Sequence, residues 1–271
     1  MVINKRGKWL SFKESSQILD KQNFLPIDVD PKTHLDFNLL DNQKYDVIFP
    51  LFHGPYGEDG SIQGLLKLLN LPHIGSGTLG SSVGMDKIIM KQVFAACGLP
   101  QVKFKPILSI NWNNNPEAVL TDLKSLEMPV YVKPSNLGSS IGISRVDTPK
   151  LLPSAIERAL VHDRRIIVEQ GLTAPQELEV GILGNDEPSA SLVGEVSYAS
   201  DFYNYTSIYT EGLTDLIIPA AISRKVASSC RRLALQAFQA IDCAGLARVD
   251  FFYDPTTVSY THLTLPTIYS V

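Results

Sequence analysis

"VKPSNLGSSIGISRV", residues 132–146, sets a lysine and a proline at the end of one apolar run, then a stretch of Ser, Asn and Gly, then a second apolar run. The pattern predicts strand, loop, strand. Gly138 and Gly142 free the loop backbone, and Ser135, Ser139 and Ser140 supply donors. Backbone N–H groups in such a loop form an anion-binding concavity and Lys133 adds a point charge, so the stretch reads as a lid over phosphates. An ordinary hairpin turn has the same composition, because Gly and Ser favour turns anyway. No G-x-x-x-x-G-K-[ST] occurs, so a phosphate site in this chain needs a different device, for which this loop is the candidate beside the plain turn.

Downstream, a helix from about residue 148 and the run "RIIVEQ" (165–170) close a unit with the strand "QVKFKPIL" (101–108) and a helix opened by Pro116. The next part carries the β-type runs "QELEVGILG", "ASLVGEVSY" and "TDLIIPA", a helix over 223–241 and the strand "LARVDFFYD". Upstream, "YDVIFPLF" (45–52) predicts a buried strand, "SIQGLLKLL" a helix, "LPHIGSG" (71–77) a short strand, and a further helix runs from Met85 to Cys97. A domain boundary is expected near residues 76–84.

The composition is that of a globular chain: 271 residues, 44% hydrophobic, 19% charged, net charge −4. Lys and Arg are scattered rather than striped, so nucleic acid is not an expected partner. No apolar run reaches the roughly 18 residues of a membrane span, and the expected location is the cytoplasm. Cys97, Cys230 and Cys243 fit no zinc spacing and read as buried reduced thiols.

The ordered blocks "HGPYGEDGSIQGLL", "GSGTLGSSVGMDK", "VKPSNLGSSIGISRV", "VEQGL", "QELEVGILG" and "GLARVDFF" together resemble the D-alanine:D-alanine ligases of the ATP-grasp superfamily, from about Lys5 to Thr257. The resemblance implies α/β and α+β folding in an ATP-grasp architecture with a truncated Rossmann-like N-terminal domain. The implied parts are residues 1–80, a small ATP-grasp subdomain over 81–170, a larger one over 171–257, and a non-native-looking tail over 258–271. It further implies an ATP-dependent ligase joining two D-alanines through an acyl phosphate for peptidoglycan precursors, with Mg2+ (or Mn2+), and family members are commonly homodimers.

By that resemblance Lys87, Lys133, Ser135, Gly138 and Ser140 belong to the ATP phosphates. Glu169 and Leu172 of "VEQGL" belong to the adenine hinge, and Glu177 to the ribose. On the residues alone Lys87, early in a helix, reads as a solvated surface lysine. Ser139 and Tyr209 are implied to position the first D-alanine, His53 to line the substrate pocket, Arg248 to stabilise oxyanion and phosphate, and Asp250 to bind metal. Arg248 and Asp250 alternate on one strand and face one side, which an ordinary ion pair also explains.

Three departures from the family pattern set a further expectation, that this chain is a ligase fragment without turnover. The Gly-Gly-x-Ser-x-Glu-His segment is not found, Ile208 precedes Tyr209 where the family has Lys, and "VSYTHLTLPTIYSV" (258–271) has no Glu-x-Asn. A nucleotide-binding remnant and another ATP-grasp ligase, such as a D-alanine:D-lactate ligase, are the alternatives.

Overall fold

Alternation of buried and less buried residues governs the two central strands, Gln176–Gly184 and Gly245–Asp254, of the larger of two antiparallel sheets. The computed structural model describes residues 45–52, 54–138, 142–198, 214–254 and 259–262. Two compact units divide the chain, one comprising Met1–Ile48 and Leu66–Pro72, the other Phe49–Leu65 and His73–Val271. In the first, the amide of Ile48 donates to the carbonyl of Pro72 at 2.8 Å. Around it the expected buried strand over 45–52 is not formed: Tyr45, Val47, Phe49 and Leu51 are exposed, and Ile48 makes an isolated bridge. β-type composition specifies a strand only where a partner supplies a ladder.

The second unit holds both sheets. Helix α1 (Ser61–Leu68) begins in it, and α2 (Thr78–Met85) and α3 (Lys87–Ala96) follow. The stretch expected as a domain boundary is thus largely helix. Gly80 of α2 lies so close to the turn at 241–242 that a Cβ there would meet the Asp242 carbonyl oxygen at 2.6 Å. The run "LPHIGSG" makes only a bridge at His73 instead of a strand.

The smaller sheet has the order β1 (Phe104–Leu108), β4 (Arg165–Gln170), β2 (Val130–Pro134), β3 (Ser144–Val146), all antiparallel. Helices α4 (Ser109–Asn114), α5 (Pro116–Leu123) and α6 (Leu152–Leu160) cover one face, where Trp112, Leu123, Ile156 and Ala159 bury Val130, Val132, Ile166 and Val168. The loop 135–143 is thereby carried by the β2–β3 hairpin, in which Val132 pairs with Ser144. Gly142, at φ +73°, is required there, since a Cβ would collide with Pro134 and His162 at 2.8 Å each. Gly138 has open space around it.

The larger sheet runs β7 (Thr214–Ile217), β6 (Ser189–Tyr198), β5 (Gln176–Gly184), β8 (Gly245–Asp254), β9 (Ser259–His262). Leu178, Val180, Ile182, Ala247, Val249, Phe251 and Tyr253 turn to a core shared with α7 (Arg224–Ala240) and with Met90 and Phe94 of α3. The intervening residues, Glu177, Glu179, Arg248 and Asp250, therefore lie on the opposite face. Ser259–His262, inside the segment expected as a foreign tail, pairs with β8 from Asp254 to Phe251. Cys230 and Cys243 are buried as expected, and burial pushes each thiol up to about 11, whereas Cys97 is exposed at the end of α3. Among the described residues no helix is long and apolar enough to cross a membrane.

Candidate functional site

Both strands that flank β4 in the smaller sheet place an aromatic ring directly opposite Glu169: Phe104 on one side and Tyr131 on the other. The side chains of Lys133 and Glu169 share that face, away from the helical core, and α3 supplies Lys91. The Glu169 carboxylate takes Lys133 Nζ at 2.6 Å on Oε2 and Lys91 Nζ at 3.3 Å on Oε1. Each ammonium also sits over a ring, Lys91 5.5 Å from Phe104 and Lys133 5.7 Å from Tyr131. Burial by itself would raise the Glu169 pKa, but the two lysines overcome it and hold the carboxyl at about 2. Burial lowers Lys91, against the pull of Glu169.

Lys87 departs from the surface reading. It is buried, donating to the Leu137 carbonyl and to that of Ser135, so its ammonium lies at the base of the loop. Burial, then the Lys133 ammonium, pushes its pKa down to about 8, opposed by Glu169, Asp86 and Asp163. Asp86 was not foreseen as a site residue. It caps α3 through the amides of Ile88 and Ile89, accepts from the Ser135 hydroxyl at 2.8 Å, and receives Arg165 at 2.6 Å. An Asp directly before a helix is the signal that could have found it.

Ser135 departs from its expected role as a phosphate donor. It is fully buried, its hydroxyl donates to Asp86, and its amide donates to the Arg165 carbonyl. Both donors are committed to holding the loop base against α3 and β4. Asn136 extends the anchor by donating from its amide and Nδ2 to Asp163. Glu169 likewise departs from an adenine-facing carboxylate, because both of its oxygens face lysines. Gly138 and Leu172 lie beyond this cluster, exposed and half-buried respectively. His53, Ser139, Ser140, Ile208 and Tyr209 lie outside the described residues.

The larger sheet builds the second group. Arg248 grips Asp250 with two parallel bonds, Nε to Oδ1 at 2.7 Å and a terminal nitrogen to Oδ2 at 2.9 Å, and reaches Glu179 at 3.2 Å. Glu179 faces Asp250 directly across β5 and β8, and Glu177 lies two residues along, paired with Phe252. Burial, then Asp250, raises Glu179 to about 7 in spite of Arg248. Among the described residues no group of three or more His, Cys, Asp or Glu could hold a metal ion. Asp250 and Glu179 nonetheless offer the hard oxygen donors that suit Mg2+, which takes one or two carboxylates and completes its shell with waters and substrate phosphates. That donor set fits a nucleotide-borne Mg2+ rather than a metal caged by protein.

Two lysines on one carboxylate and a third at the base of an anchored loop are thus held by α3 and the smaller sheet, and both parts of the chain match models of one family. The model for the D-ala D-ala ligase C-terminus covers residues 93–262, and that for the N-terminus residues 1–76. The chain belongs to the D-alanine–D-alanine ligase family. A D-alanine–D-alanine ligase of Deinococcus radiodurans is 47% identical over 255 residues, 93% of this chain and 74% of that protein. The corresponding ligase of Bacillus velezensis is 51% identical over 208 residues, 76% of this chain and 58% of that protein. Among solved structures, the VanG D-Ala:D-Ser ligase from Enterococcus faecalis superposes with a TM-score of 0.73 at 32% identity, covering 82% of this chain and 64% of its own. The D-alanine–D-alanine ligase from Coxiella burnetii gives 0.71 at 32% identity, covering 82% and 58%. The ATP-grasp fold expected of the family is thus the fold of its neighbours.

Proposed function

We propose that this ligase-family chain binds ATP with Lys87 and Lys133 on its phosphates, and that the reaction served is the joining of two D-alanines for peptidoglycan precursors. The observation that carries the reading is the convergence of Lys87 and Lys133 on the base of loop 135–143. Neither lysine has a carboxylate to itself: Lys133 shares Glu169 with Lys91, and Lys87 donates to carbonyls. The cluster therefore has a surplus of positive charge that a polyanion offsets.

In the reaction, the carboxylate of one D-alanine attacks the γ-phosphate, and the amine of the second then displaces phosphate from the acyl phosphate. Negative charge builds in both steps. Lys87 and Lys133 neutralise it on the phosphate side, and Arg248 donates from the opposite face. Asp250, with Glu179 beside it, would hold the Mg2+ of the nucleotide, which supplies charge neutralisation between phosphates. Ser139 and Tyr209 position the first D-alanine, His53 lines its pocket, Leu172 packs at the adenine, and Glu177 binds the ribose. Closure of the loop excludes water from the acyl phosphate.

Two measurements test this. Calorimetry should show ATP binding by the chain itself. A chimera carrying the sequence of a family relative on both sides of residues 45–254 should release phosphate from ATP only when D-alanine and Mg2+ are present. ATP binding with no D-alanine-dependent release in the chimera would favour a nucleotide-binding role without ligation. D-serine and D-lactate are offered as second substrates, because the VanG neighbour is a D-Ala:D-Ser ligase. Faster turnover with either than with D-alanine alone would reassign the acceptor.

A further inference from the structure

The two lysines that share Glu169 are not equivalent. Lys91 has no exposed side-chain surface, while Lys133 keeps 13% of its own and Glu169 only 4%. Lys91 is enclosed between α3 and the Phe104 ring, so it cannot itself reach a ligand. Its ion pair at 3.3 Å is not aligned as a hydrogen bond, and among the described residues Nζ is a buried donor without a hydrogen-bond partner. Lys133 makes the short contact to the same carboxylate at 2.6 Å and stands at the edge of the enclosure.

We propose that Lys91 is a positioning residue: a fixed counter-ion for Glu169 that allows Lys133 to leave the carboxylate for the phosphates of ATP. The inference rests on the ATP reading above. A buried carboxylate deprived of all partners is strongly unfavourable, so without Lys91 the departure of Lys133 would strand a charge. With Lys91 in place, Glu169 keeps one ammonium throughout, and the spare donor of Lys91 takes the oxygen that Lys133 gives up. With both lysines beside it the Glu169 carboxyl is held at about 2; with neither, burial alone would act and raise it, so a lone Lys133 could leave only at the cost of protonating or stranding the carboxylate. The arrangement makes Lys133 a cation that is stored against a carboxylate and released to a stronger anion.

The test compares ATP with adenosine, since only the former needs Lys133. In calorimetry on the full chain, Lys91→Met should weaken ATP by at least about tenfold and leave adenosine within about twofold. The double variant Lys91→Met/Glu169→Gln, which removes the charge that would be stranded, should recover most of the ATP affinity. Glu169→Gln alone should raise the ATP-to-adenosine affinity ratio, and this variant decides the matter if Lys91→Met does not fold. Equal weakening of ATP and adenosine by Lys91→Met, or an unchanged ratio in Glu169→Gln, would overturn the proposal and leave Lys91 a structural ion. If Lys133→Ala leaves ATP affinity unchanged, the ATP reading itself fails. If Lys133→Ala weakens ATP and Lys91→Met does not, only the role of Lys91 fails.

Discussion

Glu169 on the smaller sheet and Glu179 on the larger are both drawn out of water and both meet a cation, yet their acidities move in opposite directions. Burial raises both. Glu169 faces two lysines and ends at about 2, whereas Glu179 shares one arginine with Asp250 and ends at about 7. The ratio of cations to carboxylates, more than depth, decides the outcome. A surplus of cations suits an anionic ligand, while a surplus of carboxylates suits a ligand that brings a metal ion. The two faces thus carry surpluses of opposite charge, as the proposed ATP reading requires.

The sharpest way to break the comparison is to delete each acid. Glu169→Ala leaves two buried ammonium groups without a counter-charge and should lower stability by about 3–5 kcal/mol, read from the urea midpoint at constant slope. The next effect is on the ligand: Lys133→Ala should weaken ATP by about 10- to 100-fold, the loss of hydrogen bonds to a charged group. Acid titration comes third. The Glu169 pKa is lowered by folding from 4.5 to about 2, so its stabilisation is complete above pH 4.5 and is lost as pH falls towards 2. Glu169→Gln should flatten that limb.

Lys87 gives a smaller signal of the other sense. Its pKa falls from 10.5 to about 8 on folding, so stability rises with pH between those values, where the unfolded chain binds more protons. Phosphates beside it would restore the proton. Calorimetry at pH 8.5 in buffers of different ionisation heat should therefore show proton uptake on ATP binding, absent in Lys87→Met. Smallest is Asp250→Ala, which breaks a partly exposed pair and should cost about 1 kcal/mol or less. Equal stability losses for Glu169→Ala and Asp250→Ala would erase the distinction between the faces.

Between Phe104 and Asp254 most strands were legible in the sequence, because the alternating run "QELEVGILG" and the continuous apolar run "RIIVEQ" are strands with partners on both sides. An Asn-rich loop was expected where α4 forms, however, and a foreign tail where β9 forms. The run over 45–52 has the same composition and misleads, since composition does not show whether a ladder is available. Lys133 stood out as a lysine at a strand end before a glycine-bearing loop. Lys87, Lys91 and Asp86 did not, because their roles depend on what the helix docks against. Ser135 was misread for the same reason: a serine that donates to a buried carboxylate is spelled like one that donates to a phosphate. Arg248 and Asp250 were legible as a same-face pair, but Glu179, which completes their group, required the β5–β8 register.

Helix α3 sets Met90 and Phe94 into the hydrocarbon interior of the larger sheet while Lys87 and Lys91 turn to the smaller one. Adjacent residues on a helix project about 100° apart, so the two allegiances are kept apart only by spacing. Met90→Leu asks the interior to accept a similar volume. Insertion of a single residue between Asp86 and Met90 would bring the Met90 thioether to the position facing Glu169 and carry the Lys91 ammonium round to the exposed position of Gln92, away from the carboxylate. Over evolutionary time this segment should therefore drift in identity while its length stays frozen, and alignments of relatives should show substitutions but no gaps from Asp86 to Phe94.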